Sequence, residues 1–279
     1  MYGAVNGTAV DSTDNFNAAL KASLPQGSFT KRTVHTSGLE YAIFGTVYVR
    51  KGQLLDGSGS HIFMGSTGSF KLGHRSDDVE DTGGAPVTIS NLWLEGGGNP
   101  VDAEISGYFV NNVFFSASSS GARLKGTDGV ISDCVFDAGS TLALVSGRNI
   151  TLTNSNFYTG STQINISGLK DSVISNCVFN YASVAAIRWD GDTDTITDNV
   201  VVTGCEFMKN EQHTSTFNGF VWVRNVTSAA NGELSLNNCN FRNCSGPAIK
   251  VQATGNHVLN LTDCTFNGDK TLSLYNQST

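Results

Sequence analysis

The chain has 279 residues, only 15% of them charged, and a formal net charge of −7 at pH 7. An acidic balance without a basic cluster argues against nucleic acid as the main partner, and no 18-residue apolar run is present to span a membrane. With 31 glycines and abundant Ser, Thr and Asn, the composition fits a turn-rich all-β protein. The N-terminus lacks a basic region followed by an apolar core, so no signal peptide is expected.

In chain order, the first element is a short helix. Asp11-Ser12-Thr13-Asp14 offers several N-caps, Phe16, Ala19, Leu20 and Leu24 mark one apolar face, and Pro25-Gln26-Gly27 ends it. Segments 46–49 and 53–55 alternate as strands and lead into the glycine-rich turn Asp56-Gly57-Ser58-Gly59. The acidic run Asp77-Asp78-Val79-Glu80-Asp81 reads as a solvated loop.

From residue 89 one pattern returns to the C-terminus. Ile89-Ser90-Asn91-Leu92-Trp93-Leu94 reappears with its Asn-like position at 91, 112, 133, 154, 176, 204, 238 and 263, in steps of 21, 21, 21, 22, 28, 34 and 25 residues. A fixed period in this range signals a solenoid. Two residues before the Asn the chain is always aliphatic, one after it is small or apolar, and three after it is Leu94, then Phe115, Phe136, Phe157, Phe179, Phe207, Phe241 and Phe266. Alternation with period two is strand, because successive strand side chains face opposite ways. The Asn column, with Asp133, Gly204 and Asp263 as its other members, marks a bend whose stacked amides are expected to satisfy a buried corner.

A further strand per coil follows each unit after a gap of roughly ten residues, at 123–125, 142–145, 163–166, 187–190, 220–224, 249–252 and 272–275. Three short strands per coil and no helix between them predict an all-β, single-stranded parallel β-helix with a short N-terminal capping helix. It would be about 40–45 Å long. The expected organisation is one domain over 1–279: a cap at 1–27, irregular first coils at 41–86, and regular coils at 87–279 with insertions at 181–199 and 208–233.

Five of the six cysteines, Cys134, Cys177, Cys205, Cys239 and Cys264, share one inward column one residue past the Asn. Parallel Cβ vectors do not suit disulfides, so these are expected to be buried free thiols acting as small hydrophobes. Reduced thiols fit folding in a cytoplasm.

Tyr2-Gly3-Ala4, Gly7 and Asp11-Ser12-Thr13-Asp14 ahead of a helix resemble the N-terminal cap of pectate-lyase-like β-helix proteins. Val47-Tyr48-Val49 through Leu55-Asp56-Gly57-Ser58-Gly59 is similar to that superfamily's first coil, and Ile89 to Gly96 resembles the coil of its bacteriophage tailspike members. The chain departs from the pattern at Asn6 and Asn15, where acidic residues are frequent, and it lacks the polygalacturonase Gly-His-Gly signature and the pectate lyase arginine arrangement. The resemblance implies that the single-stranded parallel β-helix is right-handed, and its tailspike part implies a homotrimer on a virion tail, folded in the host cytoplasm and working outside it on a bacterial surface polysaccharide. No nucleic acid partner, membrane insertion, cofactor or metal is implied.

Steps of 28 and 34 residues point to 176–238 as the functional region, since long loops on a regular scaffold are disproportionately functional. With Ile187 and Trp189 inward, Arg188 and Asp190 face out, followed on later coils by Trp222, Arg224 and Lys250. Carboxylates, cations and an indole together suit a carbohydrate groove. Glycoside hydrolysis needs two carboxyls ~5–9 Å apart, and Asp190 with Asp192 or Asp194, opposed by Glu211, is the best candidate set. His213 is a weaker candidate base, and Asp192-x-Asp194 with Asp198 a calcium loop without EF-hand spacing. Trp93 and Phe114 face outward on adjacent coils as a sugar platform or a contact between subunits, the second being favoured. The expected function is polysaccharide binding with depolymerisation by an endo-glycosidase. The alternatives are a non-catalytic receptor-binding or structural spike or adhesin, and a polysaccharide lyase.

Overall fold

The computed structural model describes residues 10–23, 32–73, 86–116, 121–137, 141–190, 197–208, 219–224, 232–243, 247–252, 257–267 and 275–276. Among these residues the chain forms one helix, α1 (Thr13–Ala22), and 27 strands joined in one continuous sheet. Each strand pairs in parallel with its counterpart one coil away, as Ile131 does with Leu152 and Phe136 with Phe157. This is the parallel β-helix that the repeat predicted.

Three faces surround the core. The first includes Gly129–Ser132, Thr151–Thr153, Lys170–Ser175, Asp198–Thr203 and Gly232–Asn237. The second includes Val135–Phe136, Asn156–Phe157, Val178–Asn180, Glu206–Met208 and Asn240–Arg242. The third runs from Thr46–Val49 and Ser69–Leu72 through Val101–Glu104, Ala122–Thr127, Leu142–Arg148, Gly160–Ser167 and Ala182–Asp190 to Val221–Arg224 and Ile249–Gln252. In the early coils one bent strand crosses both the first and second faces, as in Val87–Gly96 and Tyr108–Ser116. The ladder strand Ala182–Asp190 lies within the first expected insertion and the ladder strand Val221–Arg224 within the second.

The Asn column is the corner between the first and second faces. Asn91, Asn112, Asp133, Asn154, Asn176, Asn238 and Asp263 all have φ between 50° and 56°, and Gly204 has 61°. That left-handed backbone explains why the column holds Asn, Asp and Gly. The expected buried amide stack is corrected: Asn112, Asp133, Asn154, Asn176, Asn238 and Asp263 are exposed. A left-handed corner throws its side chain outward, so the main chain closes the bend itself. The Asn154 N–H donates to the Ser175 carbonyl at 3.1 Å and the Asn176 N–H to Thr203 at 3.0 Å. A short side-chain ladder does run over the first coils, from Asn112 Nδ2 to Asn91 Oδ1 at 2.7 Å and from Asn91 Nδ2 to Asp56 Oδ1 at 2.9 Å.

A second left-handed column, five residues earlier, turns the chain from the third face to the first. It contains Gly107, Asp128, Asn149, Asp171 and Asn199, with φ of 74°, 57°, 53°, 47° and 50°. Asn149 and Asn199 donate their amides to Asp128 and Asp171 on the preceding coils, at 3.1 and 2.9 Å. The sequence carries this signal at the same steps as the first column.

Inside, the repeat becomes a ladder of rings. Phe115, Phe136, Phe157, Phe179, Phe207, Phe241 and Phe266 stack at centroid spacings of 4.6–4.9 Å with interplanar angles of 4–13°. The ring spacing equals the strand spacing, so identical residues at one register position must stack. The thiol column lies beside it. Cys134, Cys177, Cys205 and Cys239 are buried and free, and each Sγ contacts the carbonyl two residues earlier. Burial pushes the Cys134 thiol from 9.0 up to about 12. The neighbouring Cys177 thiol, aided by burial, pushes Cys205 from 9.0 up to about 12. At pH 8 their thiolate fractions fall about a thousandfold, so iodoacetamide should leave both unmodified in native protein and label them in urea, read by mass spectrometry. The sign for stability follows: protons held more tightly in the fold stabilise it below the unfolded-state pKa, and that contribution is lost as pH rises from 9 towards 12.

Helix α1 covers the N-terminal end of this core. Phe16 and Leu20 are buried, and Phe16 meets Tyr41 and Phe70 edge-on at 5.5 and 6.3 Å. The Asn17 side chain imitates a strand: Nδ2 donates to the Thr46 carbonyl at 2.9 Å, and Oδ1 accepts from the Tyr48 N–H at 3.0 Å. An unpaired sheet edge is thereby satisfied. Leu24 and the Pro25-Gln26-Gly27 stop lie outside the described residues, as do Cys244 and the acidic run at 77–81.

One core polar group stands out. Tyr108 is fully buried, its hydroxyl has no hydrogen-bond partner, and burial pushes its pKa well up. The ring lies over Gly129, where a Cβ would come within 2.1 Å of Tyr108 Cζ. Removing an unsatisfied buried hydroxyl costs nothing in lost bonding. Tyr108→Phe should therefore leave the free energy of unfolding, read from urea denaturation, unchanged or raise it by up to about 1 kcal/mol.

Candidate functional site

The third face carries outward side chains in two columns, set by strand register. In the first, Asp102 pairs with Arg123, Asn165 with Arg188, Arg188 with Trp222 and Trp222 with Lys250. In the second, Glu104 pairs with Lys125, Asp190 with Arg224 and Arg224 with Gln252. The sequence prediction that Arg188, Asp190, Trp222, Arg224 and Lys250 share one face is thus how the structure places them.

Two charged clusters result, and they differ in balance. In the N-terminal one, Arg123 grips Asp102 with two bonds, Nε at 3.0 Å and Nη2 at 2.7 Å, while Lys125 Nζ lies 3.2 Å from Glu104. Arg123 and Lys125 meet Asp102 and Glu104 there, and Lys71 stands beside Asp102 in the same column one coil earlier. The Asp102 hydrogen bonds hold the Arg123 guanidinium above its usual pKa. This cluster reads as structural.

In the C-terminal cluster the described residues of the two columns include three cations, Arg188, Arg224 and Lys250, and one carboxylate, Asp190. Arg188 Nε lies 2.8 Å from Asp190 Oδ2, and Arg224 Nε lies 3.8 Å from Asp190 Oδ1. Arg224 sits over the Trp222 ring at 5.3 Å and Lys250 Nζ at 5.9 Å, both within cation–π range. Trp222 Nε1–H donates to Gln252 Oε1 at 2.9 Å. The indole is only 8% exposed. The bare indole surface expected from alternation is therefore absent: Trp222 does point outward, but the long side chains of Arg224 and Lys250 cover it. What the face presents is a cationic surface propped on an indole. The arrangement can hold an anionic group.

Of the carboxylates expected to act with Asp190, Asp192, Asp194 and Glu211 lie outside the described residues, as does His213. Asp198 falls on the strand Asp198–Thr203. Among the described residues no group of three or more His, Cys, Asp or Glu side chains is placed to hold a metal ion, and no helix is long and apolar enough to cross a membrane.

Residues 92–228 match the family model described as the right handed beta helix region. No curated protein matches the sequence. Among solved structures, the chain is similar to a tailspike protein mutant of E. coli bacteriophage HK620 in complex with pentasaccharide. The TM-score is 0.64 at 12% identity, over 97% of this chain and 62% of that one. It is also similar to the A-module of the Azotobacter vinelandii mannuronan C-5 epimerase AlgE6, with TM-score 0.60 and 16% identity over 94% of this chain and 75% of that one. A third likeness is to the Streptococcus pneumoniae surface protein and adhesin PfbA, with TM-score 0.56 and 13% identity over 99% and 98% of the two chains. The chain thus spans about three fifths of the tailspike it matches. Strand pairing, matched family model and structural neighbours together make the chain a right-handed parallel β-helix.

Proposed function

We infer that this β-helix binds an acidic polysaccharide along its third face, with Arg188, Arg224 and Lys250 holding the anionic groups. The observation that carries the reading is the C-terminal cluster, where the described residues hold three cations and one carboxylate, in a chain whose net charge is −7. Register fixes these cations on adjacent coils, so they present a row of charge along the axis, as an extended polyanion requires. A bound pentasaccharide on the HK620 tailspike and the mannuronan epimerase among the neighbours support a glycan as ligand.

Depolymerisation belongs to the same proposal as its second part. Asp190 would act with Asp192 or Glu211 as paired carboxyls in an endo-glycosidase, on a homotrimeric spike of a virion tail. The test incubates the protein with polygalacturonate and with purified bacterial capsule, following binding by calorimetry at low and high salt. Reducing ends and the ultraviolet absorbance of an unsaturated product are followed in parallel. Salt-sensitive binding supports the reading. Reducing ends alone mean hydrolysis, both signals mean elimination, and neither leaves a receptor-binding spike or adhesin. Absence of binding to every acidic polymer would remove the proposal.

A further inference from the structure

Away from the third face, the second face carries an aromatic strip. Its outward column runs Glu40, His61, Trp93, Phe114, Val135 by direct strand pairing. His61 stacks on Trp93 at 4.0 Å and 14°, and its Nε2 meets Glu95 Oε2 at 2.8 Å. Phe114 stands at 73° to Trp93 with centroids 5.5 Å apart. Trp93 is 43% exposed, whereas Trp189 and Trp222 are 1% and 8%.

Beside this strip the left-handed corner makes a second wall. Trp93, Phe114 and Val135 line one side of an open trough of about 410 Å³, and Asn91, Asn112 and Asp133 line the other. The corner backbone explains the pairing of walls: φ near 50° throws Asn112 and Asp133 outward, two residues before Phe114 and Val135 also point outward. Coil stacking repeats the arrangement over three coils. The volume is within the range of ligand sites, about 300–1,000 Å³.

We propose that this trough is a second glycan site, taking an uncharged stretch of sugar chain. A pyranose has an apolar C–H face and a hydroxyl rim. The aromatic wall matches the first, and the amide and carboxylate wall matches the second. The Asn112-to-Asn91 bond uses one N–H of Asn112 and leaves the amide's second hydrogen for a hydroxyl. Charge decides the ligand class. The six wall residues include one carboxylate, Asp133, and no Lys or Arg, so the trough disfavours the anionic groups that suit the third face. A wholly apolar partner would leave the polar wall desolvated without repayment. The site stands independently of the reading of the third face.

Buried Trp189 and Trp222 make acrylamide quenching of the whole chain report chiefly on Trp93. The probes are oligosaccharides of glucose, mannose, galactose and N-acetylglucosamine, with trigalacturonate as the anionic control. At least one neutral probe should shield Trp93 saturably at millimolar concentration, and trigalacturonate should not. By calorimetry, Trp93→Ala should weaken that binding about tenfold. Asp133→Gly keeps the left-handed corner and should also weaken it, while Lys250→Ala should leave it unchanged. Circular dichroism checks that each variant folds. No shielding by any neutral probe overturns the proposal, and so does an Asp133→Gly variant that binds as well as the parent. Shielding of Trp93 that grows with protein concentration, matched by a mass increase in sedimentation, assigns the trough to contact between copies and overturns it too.

Discussion

Phe157→Ala is expected to lower the free energy of unfolding by about 3–5 kcal/mol, read from urea denaturation followed by circular dichroism. Phe157 is fully buried and has ring neighbours on both sides, Phe136 at 4.7 Å and Phe179 at 4.9 Å. Deleting it removes the transfer energy of one ring and leaves a cavity between two others. The strand Asn156–Phe157 is paired on both sides to other coils, so the backbone has little freedom to collapse into the gap. In a solenoid each coil contacts its neighbours, and a weakened rung breaks the coupling between the coils before and after it. Phe157→Leu fills most of the volume and should cost less than half as much. A loss below about 1 kcal/mol for the alanine variant would mean that the ring ladder contributes no cavity term.

Replacing Arg188 and Arg224 together with Ala should reduce affinity for an acidic polysaccharide about a hundredfold and flatten its salt dependence. The two guanidiniums flank Asp190. Without them the carboxylate faces the ligand with Lys250 as the remaining cation of the cluster. Asp190→Asn is the converse. It removes the carboxylate between the two guanidiniums, so binding should tighten severalfold, while any cleavage that depends on this carboxyl should vanish. The ion pairs are partly exposed, and stability should change by about 1 kcal/mol or less for Asp190→Asn. Calorimetry on polygalacturonate separates the outcomes: unchanged affinity in the double variant would show that the third face is not where the polymer lies. Unchanged cleavage in Asp190→Asn would remove Asp190 from the chemistry.

Much of the architecture was legible in one dimension because a β-helix is a repeat. Neighbouring coils use the same register position for the same purpose, so Phe136, Phe157 and Phe179 announce a column before any coordinates are known. Steric restriction at positive φ did the same for Asn91, Asn112 and Asp133, since few residues other than Asn, Asp and Gly enter that region cheaply. The second corner, Asp128, Asn149, Asp171 and Asn199, obeyed the same rule and escaped notice because Gly107 and a variable lead-in diluted its pattern.

The site was legible only in part. Alternation placed Arg188, Asp190, Trp222, Arg224 and Lys250 on one face, because parity decides inside from outside. It could not decide exposure. Trp222 points outward yet is 8% exposed, since Arg224 and Lys250 fold their long side chains across it, and such cover depends on distances between coils. The buried amide corner failed for a related reason: pattern identifies a bend, but backbone torsion decides which way its side chains point.

By itself the sequence determined the coil, the ring and thiol columns, the corner residues and the membership of the charged face, all consequences of period, parity and steric preference. Tertiary structure alone decided that Asp102 grips Arg123 with two hydrogen bonds, while Asp190 lies between the guanidiniums of Arg188 and Arg224. It also decided that Trp222 is covered and Trp93 open, and that Trp93, Phe114 and the Asn corner form two walls of one trough. Those facts depend on how far apart side chains from different coils come to rest. Distance across the solenoid is the quantity that a one-dimensional repeat does not contain.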